Sequence, residues 1–144
     1  MLSNTCKYAI RAVIYIALNA ESDNKIGIKK ISKELDIPSP FLSKILQTLV
    51  KHKVLSSTKG PNGGFGISSD TNKVTLNEIV NIIDGSDLFE KCIISLRTCK
   101  DEGMPCPMHG KYDKIRTQLY NLFNNQTIAG LIADMNKSGK KIFI

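Results

Sequence analysis

Residues 39–68 read SPFLSKILQTLVKHKVLSSTKGPNGGFGIS, and this stretch decides the fold. Leu42, Ile45, Leu46 and Leu49 fall at i, i+3, i+4 and i+7, which is one face of a helix. Ser43, Lys44, Gln47, Thr48 and Lys51 point the other way, a polar and basic face without one acid. Ser39 suits the N-cap, and Pro40 suits the first helical position, where its missing N–H costs nothing. Beyond the helix, Val54 to Lys59 and Phe65 to Ser68 read as two short strands around Gly60-Pro61-Asn62-Gly63-Gly64. Asn62-Gly63 is the expected tight turn, because both residues tolerate positive φ.

Upstream, Tyr8, Ala9, Ala12, Val13, Ile16 and Ala17 give a first helix, Ser3 to Ala20, a wide apolar face that suits burial. Ile28, Ile31 and Leu35 predict a second, shorter helix that stops before Pro38. Three helices followed by a hairpin is the order of a winged helix-turn-helix, whose third helix enters the major groove of DNA while the hairpin rests on the backbone or minor groove. Ser39, Phe41, Ser43 and Lys44, at the start of the recognition helix, are then the candidates for base edges, and Gln47 and Lys51 for phosphates. Lys59, Gly60, Asn62 and Gly63 form the wing, and Lys29, Lys30 and Lys33 brace the backbone. Phe41 has two readings, base contact and the edge of the core, and both stand. The glycines do not make a nucleotide-binding loop: no helix opening with Lys-Ser/Thr follows them, and strand-like residues come next.

Downstream, Thr75 and Glu78 match a capping box that opens a fourth helix running through Ile83, with Gly85 ending it. Asp84 to Pro107 has no sustained periodicity and is expected to be a functional loop. It holds Cys92, Cys99 and Cys106 at equal intervals, with His109 just beyond. The spacing C-x6-C-x6-C-x2-H is too wide for the CxxC pairs of most structural zinc modules, and an iron-sulfur cluster fits the wrapping better. From Met108, the apolar residues Met108, Tyr112, Ile115, Leu119 and Leu122 alternate steps of four and three, the seam of a helix packed along another helix, and predict a dimerisation helix, with packing on its own domain as the other reading. Thr127 is expected to cap a last helix through Ala133 and Met135. The expected fold is mainly α with a small β-hairpin wing. Residues 1–83 form the DNA-binding domain with its connecting helix, 84–107 a cysteine-rich sensor loop, and 108–144 the dimerisation and C-terminal helices.

Charge supports this division. Residues 1–66 carry ten Lys/Arg against four Asp/Glu, whereas residues 67–144 carry ten against nine, so the net charge of +7 belongs mostly to the first half. A one-sided basic excess is the electrostatic footprint of nucleic-acid binding. The apolar run Ala12 to Leu18 is far too short to span a bilayer, and no small-x-small cleavage signal follows it. A cytoplasmic location without membrane attachment is expected, where clustered cysteines serve as ligands or sensor thiols rather than disulfides. Cys6 reads as a small buried apolar side chain, and His52 as a surface residue at a helix end.

The combination resembles the Rrf-type winged-helix transcriptional regulators, the IscR/NsrR/CymR-like family, over nearly the whole chain. The residues that carry the resemblance are Tyr8-Ala9-Ile10-Arg11-Ala12, Ile37-Pro38-Ser39-Pro40-Phe41-Leu42, the wing Lys59 to Phe65, the cysteine triplet, and Leu122-Phe123-Asn124-Asn125-Gln126-Thr127-Ile128-Ala129. The resemblance implies a homodimer crossed by its long C-terminal helix, a pseudo-palindromic operator in double-stranded DNA, and a cluster held in the loop before that helix. Two departures stand out. The family wing commonly starts Arg-Gly, whereas Lys59 stands here, more strongly hydrated and less suited to a narrow groove. Where some members complete the cluster with a carboxylate from the partner's first helix, the matching position is Lys7, which leaves His109 as the favoured fourth ligand.

The leading reading is a DNA-binding regulator, a repressor, that senses iron-sulfur, nitric oxide or redox status through a cysteine-ligated cluster. A regulator using thiols or zinc without a cluster is the alternative in the same class. A small iron-sulfur electron carrier is the alternative in another, and it would need neither a basic recognition face nor a wing. An enzyme is not expected.

Overall fold

A computed structural model describes residues 1–21, 24–94 and 107–139. The elements run α1 (Asn4–Asn19), α2 (Ile28–Leu35), α3 (Ser39–Lys51), β1 (Leu55–Thr58), β2 (Gly64–Ile67), α4 (Leu76–Ile83), α5 (Asp87–Glu90), α6 (His109–Asn125) and α7 (Ile128–Ser138). This is the mainly helical winged-helix architecture expected from the periodicities.

One core holds these elements together. Ala9, Ala12, Val13 and Ile16 of α1 bury the wide face against Ile31 and Leu35 of α2 and Leu42, Ile45, Leu46 and Leu49 of α3. Burial of each such Leu or Ile side chain is worth roughly 1.5–3 kcal/mol, so the α3 stripe alone fixes which way that helix faces. Ile79 of α4 and Ile128 of α7 are fully buried in the same cluster.

The turn between α2 and α3 differs in detail from the expectation. Ser39 is already helical and Pro38 occupies the N-cap, so Pro40 sits one position further in than predicted. The Pro38 carbonyl accepts from the N–H groups of Phe41 and Leu42, which removes the need for a serine side-chain cap. Asp36 turns the chain in the left-handed region at φ 52°, where a short polar side chain is tolerated.

At its other end α3 closes with Lys53, also left-handed at φ 61°. The Val54 N–H reaches back to Leu49 O at 3.0 Å, a Schellman closure, and Val54 and Leu55 are buried immediately afterwards. Thr71, fully buried, donates to Val54 O at 2.6 Å and accepts from the Ser68 N–H at 2.7 Å, so the base of the hairpin is tied to the end of the helix with its polar groups satisfied.

The hairpin is antiparallel, pairing Leu55 with Ile67 through Thr58 with Gly64. Its connection is not the two-residue Asn62-Gly63 turn. Five residues, 59–63, lie between the strands, the Gly63 N–H donates to Gly60 O at 3.0 Å, and the positive φ falls on Gly60 at 110°. Ile26 adds a third, single-residue rung, exchanging two hydrogen bonds with Phe65 at 2.8 and 2.9 Å.

The capping box at α4 is present as predicted: the Glu78 N–H donates to the Thr75 hydroxyl, and the Glu78 carboxylate accepts from the Thr75 N–H. Among the described residues of the segment from 84 to 107 there is one turn of helix, α5, which the lack of periodicity did not reveal because four residues are too few to show it. Phe89 of α5 packs edge-on against Tyr120 and Phe123 of α6, at ring-centroid distances of 5.4 and 6.0 Å. No residue of α6 is fully buried: Ile115 and Leu122 are each 61 % exposed and Met108, just before it, 39 %. Thr127 caps α7 as expected, accepting from Gly130 N at 3.0 Å, and the helix runs on to Ser138. Leu76 N to Gln126 O and Ile128 N to Val74 O stitch the start of α7 to the start of α4. Ile142, Phe143 and Ile144 lie outside the described residues.

Candidate nucleic-acid interface and cysteine segment

The phase of α3, set by its buried stripe, decides what faces outward. Lys44, Gln47 and Lys51 are exposed at i, i+3 and i+7, and Ser39, Ser43 and Thr48 are half-buried beside them. Gln47 Nε2 lies 3.4 Å from Ser43 Oγ and Thr48 donates to Lys44 O at 2.9 Å. Phe41 is 40 % exposed and meets the Tyr8 ring edge-on at 6.0 Å, so both of its sequence readings describe part of it.

Lys29, Lys30 and Lys33 are exposed on α2, and Lys59, Gly60 and Asn62 on the hairpin tip, with Gly63 half-buried. Among the described residues the ion pairs are Lys91–Asp87 and Arg116–Asp113, so none of these lysines has an acid within salt-bridge reach. Unpaired cations on consecutive elements form a surface that attracts polyanions and is weakened by salt.

The tip of the hairpin is sterically confined. A Cβ at Gly63 would run into the carbonyl oxygen of Thr58 and lie 2.8 Å from the carbonyl carbon of Lys59, and one at Gly64 would meet the Ile26 backbone. Gly63 is therefore required by close backbone approach rather than by its φ. Lys25 Nζ hydrogen-bonds Ser56 Oγ and covers Gly66, which fixes the outer face of the hairpin to the α1–α2 connection.

Of the cysteine segment, Cys92 is half-buried just past α5 and His109 is the first residue of α6. Cys99 and Cys106 lie outside the described residues. Among the described residues no three His, Cys, Asp or Glu side chains converge as a metal site. Cys6 is fully buried, as expected, and its thiol is pushed from 9.0 up to about 12, first by burial and then by the charge of Asp84. It is a poor thiolate donor in this setting.

Some contacts had no sequence signal. Ser3 N and Ser3 Oγ both donate to the Asp84 carboxylate, at 2.9 and 2.5 Å, tying the start of α1 to the end of α4 where the cysteine segment begins. Arg11 donates to Leu35 O at 3.1 Å, and the bridge of Ile26 to Phe65 joins the α1–α2 connection to β2 one rung from the loop.

Comparison with known proteins decides the family. The Rrf2 model, described as an iron-dependent transcriptional regulator, matches residues 2–134. The chain belongs to the Rrf2 family. A putative HTH-type transcriptional regulator of Aquifex aeolicus is 33 % identical to this Rrf2 chain over 133 residues, covering 92 % of it and 91 % of the relative. The HTH-type transcriptional regulator IscR of Escherichia coli O1:K1 / APEC is 26 % identical over 131 residues, 91 % of this chain and 79 % of that one. Among solved structures, CymR, the global cysteine regulator of B. subtilis, superposes with TM-score 0.73 at 17 % identity, covering 92 % of this chain and 96 % of that one. The T. potens IscR structure gives TM-score 0.73 at 14 % identity, covering 99 % and 93 %. This Rrf2 protein is an IscR/CymR-like transcriptional regulator with a DNA-binding winged helix, and not an enzyme. That removes the electron-carrier reading. No helix among the described residues is long and apolar enough to cross a membrane.

Gly63→Val is expected to lower the unfolding free energy by about 1–3 kcal/mol, because backbone atoms rather than a mobile side chain must yield. Urea denaturation would show it as a lower midpoint at unchanged m, and an unaltered midpoint would mean that the loop takes another path.

Proposed function

We propose that the chain is a cytoplasmic, homodimeric repressor whose operator binding responds to iron-sulfur, nitric oxide or redox status through a cluster. The observation that carries the DNA part is the exposed, acid-free face of α3 beside the unpaired lysines of α2 and the hairpin. In this reading Ser39, Phe41, Ser43 and Lys44 meet base edges, while Gln47 and Lys51 meet phosphates. Lys59, Gly60, Asn62 and Gly63 rest the wing on the adjoining backbone or minor groove. A two-fold dimer would engage two half-sites about 34 Å apart. The exposed Met108, Ile115 and Leu122, seven residues apart along one line, support α6 as the dimer seam.

For the signal, Cys92, Cys99, Cys106 and His109 are the residues that would hold the cluster. Their donor chemistry fits it: three thiolates and one imidazole, with Cys92 and His109 bracketing residues 95–106 from α5 and α6. The fully buried, strongly protonated Cys6 does not fit as a ligand. When bound, such a cluster supplies a redox-active and oxidant-labile centre. The chain's own contribution is to hold the two ends of the segment, one through Phe89 on α6 and one through the first turn of α6 itself, so that a change in the segment acts on the dimer helix.

Lys44→Ala and Lys51→Ala should each flatten the slope of log affinity against log salt by about 0.9, measured by fluorescence anisotropy on operator duplex. Unchanged slopes in both variants would remove α3 as the recognition helix. Leu122→Asp should shift the protein from dimer to monomer in sedimentation velocity without loss of helicity, since Leu122 is largely exposed in the single chain. A persistent dimer would place the seam elsewhere. Anaerobically purified protein should absorb in the visible, each of Cys92→Ser, Cys99→Ser and Cys106→Ser should abolish the band, and His109→Ala should shift or destabilise it. Stoichiometric zinc without iron would favour the zinc-based alternative, and a colourless, metal-free protein the thiol-based one.

A further inference from the structure

The connection between α2 and α3 is held from α1 by a residue outside the DNA face. Arg11 Nη2 donates to the carbonyl of Leu35, the last residue of α2, at 3.1 Å. This carbonyl belongs to the last turn of the helix, where no intrahelical N–H remains to satisfy it. The next residue, Asp36, makes the left-handed turn that redirects the chain into α3. The same guanidinium lies 5.8 Å from the centroid of the Tyr8 ring. Tyr8 in turn meets the Phe41 ring at 6.0 Å and 87°, in the first turn of α3. Arg11 thus grips the exit of α2 directly and the entry of α3 through Tyr8.

We propose that Arg11, with Tyr8, is a positioning residue for operator recognition: it sets the angle of α3 through Leu35 and Phe41 without touching DNA. Arg11 Nε is buried with no hydrogen-bond partner. Arg11 as a whole is half-buried, and a partly buried, incompletely satisfied guanidinium is a weak contributor to stability that an apolar residue of similar size often replaces at little loss. What the planar fork supplies, and an apolar side chain does not, is direction. It fixes one carbonyl at its end and one aromatic ring against its face. The start of α3 is the part that approaches base edges, so a small rotation there alters specific contacts while leaving the count of neutralised phosphates unchanged.

This inference rests on the proposed DNA face of α3, and the test separates the two. An operator duplex selected from random sequence by the unaltered protein, and an unrelated duplex, are titrated at several salt concentrations with the full chain carrying Arg11→Met, Arg11→Lys, Tyr8→Ala or Tyr8→Phe. Arg11→Met and Tyr8→Ala should reduce the ratio of operator to unrelated-duplex affinity roughly ten-fold or more, on the scale of one lost base contact, with the salt slope unchanged. Arg11→Lys should not restore the ratio, and Tyr8→Phe, which keeps the ring, should. A urea midpoint close to that of the unaltered protein in Arg11→Met separates positioning from unfolding. If that variant does not fold, Arg11→Lys and Tyr8→Ala carry the same comparison. An unchanged ratio in those variants overturns the proposal, as does a salt slope lowered by one phosphate, which would make Arg11 a direct DNA contact. Lys44→Ala in the same titration tells which reading has failed. If it weakens binding while the Arg11 and Tyr8 variants do not, the inference alone falls. If it too changes nothing, the DNA face of α3 falls first.

Discussion

The packing of one face of α3 against α1 and α2 is the constraint on which the other features depend. Leu42, Ile45, Leu46 and Leu49 are buried to within a few per cent, and a helix with four such positions in phase has no freedom to rotate about its axis. Lys44, Gln47 and Lys51 are held in water by that packing rather than by any contact of their own. The same burial continues without a break into Val54 and Leu55, so the helix end and the first strand are one packed unit. The hairpin inherits its direction from α3, and Ile26 and Thr71 lock it from either side.

The second constraint lies at the opposite end of the core. Ser3 gives both its N–H and its hydroxyl proton to Asp84, and the buried Cys6 lies directly below in the first turn of α1. Asp84 closes α4, and the next residues lead into α5 and the cysteine segment. The first turn of α1 is therefore tied to the residue that closes α4 just before α5 and Cys92, and its third turn carries Arg11 against the turn between α2 and α3. A helix is stiff over this length, roughly 1.5 Å per residue, so a tilt at Ser3 is felt at Arg11. Coupling through a rigid element of this kind needs two arrangements of the packing around it.

How much of this was legible in the sequence follows from the range of each interaction. The apolar stripes of α1, α2 and α3, the capping box at Thr75 and the cap at Thr127 are local patterns within a turn or two, and each is present where the sequence places it. The hairpin was legible as an element, but not its turn. Asn62-Gly63 carries the signal of a two-residue loop, yet Pro61 with its fixed φ and the bond from Gly63 to Gly60 favour a wider loop that shifts the positive φ to Gly60. The N-cap of α3 was misplaced by one residue because Pro38 supplies through its carbonyl what a serine side chain would have accepted. Contacts such as Arg11 to Leu35, Ile26 to Phe65 and Ser3 to Asp84 join residues 24 to 81 positions apart and have no periodic signature. The face of α3 was accordingly visible from the sequence, while what aims it was not.

The C-terminal third poses a single physical problem. A 17-residue helix with no fully buried residue draws little stability from its own chain, and isolated helices of this length are marginal in water. On one side α6 has Phe89, and Asn124 accepts from the buried Asn77 at 3.3 Å. On the other, Met108, Ile115 and Leu122 are exposed in a line. Covering that line with a second copy would bury the missing apolar surface and at the same time fix where His109, at the head of the helix, stands relative to the cysteine segment. In the proposed dimer, subunit pairing and assembly of the cysteine segment would draw on the same helix. A change at either one would then shift the other, which is the reciprocity that any coupling between two sites must obey.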